Sequence, residues 1–129
     1  MQSNIQECLN QEIWAVVGVS TNPAKFGHKV YKKLKRCGYT VYPVNPKLSE
    51  IDGDPCYPSL SALPILPDVV SIIVPPSVTE QIIEECAQLG IKRVWMQPGA
   101  ECQEALRKGR EKGLKLVANE CVLVQAQPR

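Results

Sequence analysis

Short apolar runs alternate with amphipathic helical patterns along the chain, and this alternation constrains the fold more than any other feature. The apolar runs predict strands at 13–18, 39–44, 69–74, 92–96 and 115–118. Helices are predicted at 27–37, 77–90 and 101–112, with a short helical turn at 59–63 and a lead-in helix at 5–11. This order predicts an α/β protein with a three-layer, doubly wound fold around a five-stranded parallel sheet.

Two of the predicted helices carry apolar stripes that indicate their buried faces. The stripe of the first helix comprises Phe26, Val30, Leu34 and Cys37. The stripe of the second comprises Val78, Ile82, Cys86 and Leu89. The residues at 77–80 have the Ser-x-x-Glu pattern of a capping box, which predicts that the second helix begins there.

Charge is distributed unevenly along the chain. Between residues 13 and 49 there are seven Lys or Arg residues and no Asp or Glu. The rest of the chain carries eight basic and thirteen acidic residues, so the net charge of +2 conceals a local charge of +7. A small basic region on an otherwise acidic protein predicts a compact polyanionic ligand and argues against nucleic acid as the partner.

Composition and cysteine usage exclude several classes of protein. With 44% hydrophobic and 22% charged residues, the 129-residue chain is predicted to be one globular domain over 1–129 with a core at about 12–124. Six cysteines without a C-x-x-C pair, and a single histidine, predict no zinc site and mostly reduced thiols. No apolar run approaches the roughly 20 residues of a membrane span, and a signal pattern is lacking, which predicts a cytoplasmic protein without membrane contact.

The turn after the first strand has the residues of an anion site. Its pattern, Gly18-x-Ser20-x-x-Pro23-x-Lys25-x-Gly27, matches neither G-x-G-x-x-G nor the P-loop. Gly18 permits a sharp turn, Ser20 offers a hydroxyl donor, and Lys25 provides a cation beside the outward-pointing N–H groups of a helix N-terminus. These features predict phosphate binding; the alternative is a tight strand–helix turn with an exposed lysine.

The turn after the second strand, Val44-Asn45-Pro46-Lys47, indicates the kind of nucleotide. Folds that bind NAD usually have an acidic residue here for the ribose hydroxyls, whereas this chain has no acid until Glu50. Lys47 instead suits a phosphorylated ribose, as in NADP or coenzyme A. The alternative is a solvated lysine after an Asn-Pro turn.

The turn after the third strand contains two prolines. Pro75 and Pro76 would stiffen the backbone where it lies against a flat ligand, and Val74 would contact an adenine or a pantetheine arm. Ser77 is interpreted as the helix cap rather than as a ligand contact.

The last two turns offer polar groups but no catalytic constellation. Gln97 and Gly99 follow the fourth strand, and the neutral Gln97 is suited to orient a ligand rather than to transfer protons. Asn119 and Cys121 follow the fifth strand, where Cys121 is interpreted as structural, with a thiol at the site mouth as the alternative. His28 is interpreted as a solvated surface residue, because no nucleophile is tied to it by spacing. No catalytic residue is therefore predicted.

Five turns in order resemble a known family across about residues 12–124. The chain resembles stand-alone CoA-binding proteins, whose domain is similar to the N-terminal CoA-binding domain of the succinyl-CoA synthetase α subunit. The matching segments are Gly18-Val19-Ser20 with Pro23, Lys25 and Gly27; Val44-Asn45-Pro46; Val74-Pro75-Pro76; Trp95-Met96-Gln97-Pro98-Gly99; and Asn119-Glu120-Cys121.

The resemblance implies a Rossmann-like CoA-binding domain and a role for each turn. The phosphates would be held by Gly18, Ser20, Lys25 and Gly27. The ribose phosphate and adenine would lie near Val44, Asn45, Pro46 and Lys47. The nucleotide or the pantetheine arm would be lined by Val74, Pro75 and Pro76. The remaining contacts would come from Gln97, Gly99, Asn119 and Cys121.

One substitution and one absence separate this chain from the synthetase. Gln97 would approach the thiol end of CoA, where the synthetase domain generally carries Glu. The phosphorylated catalytic histidine of the synthetase belongs to a second domain, and His28 does not match it. The resemblance therefore implies a non-catalytic binding, carrier or regulatory protein for CoA or an acyl-CoA, with a protein partner or homodimer left open. The alternatives are an NADP-binding oxidoreductase and the CoA-binding subunit of a multi-chain acyl-CoA ligase.

Overall fold

Helices cover both faces of a parallel sheet in the computed structural model, which describes residues 2–128. The elements in chain order are α1 (Gln2–Leu9), β1 (Ile13–Val17), α2 (Phe26–Arg36), β2 (Thr40–Val44), β3 (Glu50–Ile51), β4 (Asp54–Pro55), a 3₁₀ turn (Leu60–Ala62), β5 (Val69–Ile72), α3 (Pro76–Leu89), β6 (Arg93–Met96), α4 (Gln103–Glu111), β7 (Lys115–Val117) and α5 (Val122–Gln125). The main sheet has five strands in the order β2-β1-β5-β6-β7, and all its pairings are parallel. The predicted doubly wound α/β fold is confirmed.

The central strands are buried on both faces, which explains their continuous apolar character. Side chains alternate across the sheet, so neighbouring residues of β1 enter two different cores. Trp14 and Val16 join the core beneath α1, α2 and α5. Ala15 and Val17 join the core beneath α3 and α4. Each layer of helices thus has its own apolar contact with the sheet.

The strand order reverses between β1 and β5. From β1 the chain proceeds to β2 at one side of the sheet, and it then crosses to β5 on the other side of β1. In an open parallel sheet, the loops on the two sides of such a switch point diverge and leave a crevice beyond the carboxyl ends of the strands. Ligands of open parallel α/β sheets bind in this crevice.

Helix α3 begins earlier than its sequence pattern predicts, and the capping-box prediction is wrong. Pro75 is the N-cap residue, without a side-chain cap, and Pro76 is the first helical residue. Proline suits this position because its missing N–H would lack a partner inside the helix anyway. Ser77 therefore lies within the first turn of the helix and does not cap it.

The buried face of α3 is also displaced from the predicted stripe. Thr79, Ile83 and Cys86 are the buried residues, whereas Val78 is 37% exposed and Ile82 is half-buried. Cys86 was predicted correctly, and burial raises the pKa of its thiol to about 12. The apolar character of Val78 and Ile82 has another cause, because both residues line a cleft.

In α2 the prediction for Phe26 is wrong, while Val30, Leu34 and Cys37 are buried as expected. The Phe26 side chain is 58% exposed, and the ammonium of Lys29 lies 5.8 Å from the centroid of its ring. Gly27 is the buried residue of this first turn, so the helix approaches the sheet through a position without a side chain.

Several short features have no counterpart in the sequence pattern. The antiparallel pair β3–β4 has two residues per strand, and α5 has four, which is too short for a periodic signal. The lead-in helix was predicted at 5–11 but occupies Gln2–Leu9. Within residues 2–128, no helix combines the length and the apolar character that crossing a membrane requires.

Candidate functional site

An apolar cleft opens at the switch point, between the carboxyl ends of β1, β2 and β5. Its volume is about 450 Å³. We call it the switch-point cleft, and it is lined by Val17, Gly18, Val44, Asn45, Pro46, Lys47, Pro58, Ser59, Leu60, Val74, Pro75, Val78, Ile82 and Glu85. Seven of these residues were predicted from the sequence: Gly18, Val44, Asn45, Pro46, Lys47, Val74 and Pro75.

A second cleft lies at the carboxyl ends of β5 and β6. This β6 cleft has a volume of about 290 Å³ and is lined by Ile73, Val74, Pro75, Gln97, Pro98, Gly99 and Ala100. Val74 and Pro75 line both clefts and form the ridge between them. A long ligand can therefore contact both clefts by crossing this ridge, which the predicted Val74-Pro75 turn provides.

Close backbone contacts explain why glycines occupy two of the predicted positions. Gly18 has φ +101°, and a Cβ atom there would lie 2.2 Å from the carbonyl oxygen of Ile73. A Cβ atom on Gly27 would lie 2.1 Å from the carbonyl oxygen of Gly18. The start of α2, the first turn and the end of β5 are thus in backbone contact, with no space for side chains between them.

The first turn is closed by its own side chains. The Ser20 hydroxyl oxygen accepts a hydrogen bond of 3.0 Å from the Asn22 N–H, and the Asn22 side-chain oxygen accepts one of 3.0 Å from the Ala24 N–H. Lys25 is the N-cap residue of α2 and is exposed. Its own N–H donates to the Asn22 carbonyl oxygen at 3.0 Å. Among the hydrogen bonds of residues 2–128, none uses the Ser20 hydroxyl as the donor, so this group can donate to a ligand.

In the second turn, Asn45 uses its side chain for contacts within the protein. Its Nδ2 donates to the Val19 carbonyl oxygen at 2.8 Å, and its Oδ1 accepts from the Lys47 N–H at 2.8 Å. Lys47 itself is exposed at the edge of the switch-point cleft. The turn therefore presents a cation whose backbone position is fixed.

The basic region is divided between paired and unpaired cations. Lys32 pairs with Asp52 at 3.3 Å, and Lys35 pairs with Asp54. Both carboxylates belong to the β3–β4 hairpin segment that the sequence pattern did not reveal. Hydrogen bonds from the lysines are the largest cause that lowers the pKa of each carboxyl below its usual value.

Lys25 and Lys47 belong to the unpaired group. Neither takes part in an ion pair within the described residues, 2–128. His28, predicted to be solvated, is instead half-buried, with its Nε2 3.1 Å from the Asp52 carboxylate. That prediction is wrong because the hairpin covers this side of α2. In the same range, unpaired positive charge is found at the ends of β1 and β2 and also along α2, at Lys29, Lys33 and Arg36.

Gln97 and Cys121 form a buried polar contact behind the β6 cleft. Gln97 is 3% exposed, and its Nε2 donates to the Cys121 sulfur at 3.3 Å. Its Oε1 accepts from the Val122 N–H at 2.8 Å. Gln97 therefore fixes the start of α5, and Cys121 is half-buried beside it.

Asn119 lines a cleft other than the two described above. It lines a separate cleft of about 270 Å³ at the edge strand β7, together with Arg110 and Leu106 of α4. Asn119 has φ +65°, a conformation that asparagine tolerates better than most residues. The structure does not bring Asn119 into either the switch-point cleft or the β6 cleft.

The sequence patterns did not assign Pro58, Ser59, Leu60, Val78, Ile82 and Glu85 to the site, although all of them line the switch-point cleft. The apolar stripe of α3 contained a signal for two of them, since Val78 and Ile82 form a second apolar face beside the buried one. The residues at 58–60 carry no such signal, because only the path of the chain after β4 brings them to the cleft.

Together these features suit a nucleotide with several phosphates and a flat base. Those groups are complementary to an apolar cleft with Lys47 in its lining, and to a helix N-terminus that offers backbone N–H groups and the cation of Lys25. Within the described part of the chain, no group of three or more His, Cys, Asp or Glu residues has the arrangement of a metal site. The fold and this site define a nucleotide-cofactor-binding domain of the doubly wound α/β class.

The chain belongs to the CoA binding domain family, whose family model matches residues 12–127. It is 34% identical over 122 residues to the ADP-forming acetate–CoA ligase I of Archaeoglobus fulgidus, a match that covers 86% of this chain. It is 33% identical over 119 residues to the alpha subunit of the ADP-forming acetate–CoA ligase II of Pyrococcus furiosus, covering 84% of this chain. The chain spans 18% and 26% of the length of these two relatives.

A solved structure of similar size shows the same fold. It is a conserved hypothetical protein from Pyrococcus furiosus, with a TM-score of 0.85 and 40% sequence identity. The match covers 88% of this chain and 98% of that chain. The predicted Rossmann-like fold and the predicted CoA-binding family, related to the synthetase type of ligase, are confirmed.

Proposed function

We propose that this protein binds CoA or an acyl-CoA along the carboxyl edge of its sheet and serves as a binding, carrier or regulatory protein without catalysis of its own. One observation carries the proposal: an apolar cleft at the switch point has the unpaired Lys47 in its lining, and the unpaired Lys25 begins the helix that follows the first turn. Family membership supports CoA as the ligand over NADP.

The chemistry of CoA matches the order of these features. Its diphosphate would lie at the first turn, near Ser20, Lys25 and the N-terminus of α2. Its 3′-phosphate would pair with Lys47, and its adenine would enter the switch-point cleft between apolar side chains such as Val44 and Val78. The pantetheine arm would cross the Val74-Pro75 ridge and carry the thiol toward Gln97 in the β6 cleft.

The non-catalytic role is supported by the chemistry at the thiol end. Gln97 is neutral, and both polar ends of its side chain hold Cys121 and α5. An amide so engaged can orient a thioester, but it does not exchange protons near neutral pH.

A ligase subunit is the second candidate, and the sequence match to a ligase alpha subunit favours it. In that case a separate chain would supply the catalytic groups. Purification from native extract, followed by light scattering, distinguishes the two candidates. A stable complex with a second protein supports the ligase subunit, whereas a chain found alone or as a homodimer supports the carrier.

Calorimetric titration with CoA, dephospho-CoA and NADP tests the binding proposal. We expect CoA to bind best, and Lys47→Ala to weaken CoA binding by at least about tenfold, because a lost charge-assisted contact to phosphate is worth roughly 1.5–3 kcal/mol and about 1.4 kcal/mol corresponds to a factor of ten. The same substitution should leave dephospho-CoA almost unaffected, since that ligand lacks the 3′-phosphate.

Lys92→Ala is the matched control for this titration. Lys92 is exposed, and it precedes β6, at the amino edge of the sheet. The control should bind CoA like the unsubstituted protein. Tighter binding of NADP than of CoA, or equal weakening by Lys92→Ala and Lys47→Ala, would contradict the proposal.

A further inference from the structure

Asn45 connects the two turns that carry the unpaired cations. Its Nδ2 bonds the carbonyl oxygen of Val19, in the first turn, across 26 residues of sequence. Its Oδ1 bonds the N–H of Lys47 in its own turn. Both bonds are 2.8 Å long, so the half-buried side chain is engaged at both its donor and its acceptor ends.

The backbone around Asn45 is also hydrogen-bonded within the protein. The Asn45 N–H donates to the carbonyl oxygen of Tyr57 at 2.9 Å, and the Gly18 N–H donates to that of Val44 at 3.0 Å. The backbone N–H, the carbonyl oxygen and both polar ends of the Asn45 side chain are therefore hydrogen-bonded within the protein. A side chain so committed is better suited to hold neighbouring groups than to contact a ligand.

A connected series of hydrogen bonds and short backbone segments extends from Lys47 to Lys25. It leads from the Lys47 N–H through Asn45 to Val19, and the adjacent Ser20 binds the Asn22 N–H. The Asn22 carbonyl oxygen then accepts from the Lys25 N–H. The backbone positions of the two lysines are thereby fixed relative to each other without a contact between their side chains.

Fixed backbone positions restrict where the two ammonium groups can lie, which favours ligands whose own charges have a matching separation. A protein that holds the backbone of its lysines in place does not have to order the second turn when the ligand binds, so more of the contact energy remains as affinity. This advantage applies only to a ligand that engages both turns at once. Dephospho-CoA has the diphosphate for the first turn but nothing for Lys47.

We infer that Asn45 is a positioning residue that sets the preference for a 3′-phosphorylated ligand, by holding Lys47 at a fixed place relative to the phosphate-binding first turn. The inference rests on the proposed function for its ligand, and on the two side-chain hydrogen bonds for its geometry. It replaces the expectation that Asn45 is itself a ligand contact.

The test compares the affinities of CoA and dephospho-CoA in Asn45→Ala, Lys47→Ala and the double variant. The ratio of the two dissociation constants should fall by about tenfold in Asn45→Ala, although Lys47 is still present. The double variant should show no further fall beyond that of Lys47→Ala, because both changes remove one interaction. Independent, multiplicative losses in the double variant would overturn the inference.

Amide hydrogen exchange at Lys47, measured without ligand, tests the geometry separately. Exchange should accelerate at least tenfold in Asn45→Ala and stay slow in Asn10→Ala, a control at an exposed residue in the turn before β1. An unchanged rate in Asn45→Ala would overturn the inference. If the unsubstituted protein failed to bind CoA, the proposed function would fail while this measurement still decided what Asn45 holds.

Asn45→Asp separates the two hydrogen bonds and serves if the alanine variant does not fold. It keeps an acceptor for the Lys47 N–H but loses the donor to Val19. We expect slow exchange at Lys47 together with a reduced CoA preference, because the link to the first turn is removed and the added carboxylate repels the 3′-phosphate. An undiminished preference would show that this link does not matter.

Discussion

At the carboxyl edge of the sheet, one predicted residue leaves space for a neighbouring backbone group, and another forms a hydrogen bond that holds a neighbouring backbone group. Gly27 leaves room for the carbonyl oxygen of Gly18, and Asn45 holds Lys47. Neither role needs contact with a ligand, although the sequence pattern placed both residues in the binding site. Lys25 and Lys47 are the predicted residues with a free charged group at this edge.

Substitution of Gly27 tests how tightly the first turn is packed. Gly27→Ala should destabilise the protein by about 1–3 kcal/mol, the usual cost of overpacking, because the added Cβ meets a backbone atom that cannot rotate away. Gly109→Ala is the control: this helical glycine is also buried, but its added Cβ meets the Leu116 side chain, which can adjust. Urea unfolding compares the two variants, and equal losses would argue against a rigid backbone contact.

At the residue scale, the sequence is informative where a feature depends on residue type and order along the chain, and uninformative where it depends on a distant partner. The cations at two strand ends follow from charge and order along the chain. The bond from Asn45 to Val19 does not, because it joins residues 26 positions apart. His28 was misjudged for the same reason, since its partner Asp52 lies in the hairpin segment.

Among the elements, α3 shows how one helix serves the core and the site with two adjacent faces. Its buried face packs Ile83 and Cys86 against the sheet, while Val78 and Ile82 face the switch-point cleft. The sequence pattern merged these faces into one stripe, because an apolar ligand cleft and an apolar core select the same residue types. Only the crossing of α3 over the sheet separates the two.

The β3–β4 hairpin connects α2 to the segment that lines the switch-point cleft. Its Asp54 accepts hydrogen bonds from Lys35 and Tyr31, and its Asp52 faces His28 and Lys32. The segment after this hairpin contributes Pro58, Ser59 and Leu60 to the cleft. The contacts between the hairpin and α2 therefore help to define the shape of the site.

Acidification should weaken the contacts between the hairpin and α2. Lys35 first, and then Tyr31, hold the pKa of Asp54 below its usual value, so its stabilising contribution is complete above the unfolded-state pKa of about 3.9. The contribution is lost as the pH falls from there toward the lowered folded-state pKa. Unfolding of Asp54→Asn should thus show a deficit in stability at pH 7 that shrinks below about pH 4.

Glu50→Gln provides the control for this measurement. Glu50 belongs to the same hairpin but forms no ion pair among residues 2–128. Its stability difference should stay nearly constant over the same pH range. A stability deficit of Asp54→Asn that persisted unchanged at pH 3 would contradict the electrostatic origin of the contacts between the hairpin and α2.

At the scale of the whole molecule, the order of elements was sufficient to predict the sheet. Alternating strands and helices admit few topologies once crossovers are right-handed, and the observed order β2-β1-β5-β6-β7 is one of them. The switch point, and with it the position of the site, followed from that topology. The path of the chain after β2 could not be predicted from the sequence, because the two-residue strands β3 and β4 carry no periodic signal.

Binding should be measurable as stability of the entire fold. A ligand at one hundred times its dissociation constant stabilises the folded state by about 2.7 kcal/mol if the unfolded chain does not bind it. We expect CoA to shift the urea midpoint accordingly, and dephospho-CoA at the same concentration to shift it less. An equal shift by both ligands would contradict the role assigned to Lys47.

The backbone contacts among Gly18, Gly27 and Ile73 have a further consequence for how ligand preference can change. These contacts join peptide groups, which are the same in every residue type, so substitution there changes stability before it changes selectivity. Much of the lining of the switch-point cleft instead consists of replaceable side chains, on the segment after β2 and on the outer face of α3. Selection for another ligand would therefore find its useful mutations among those side chains and leave the glycines unaltered.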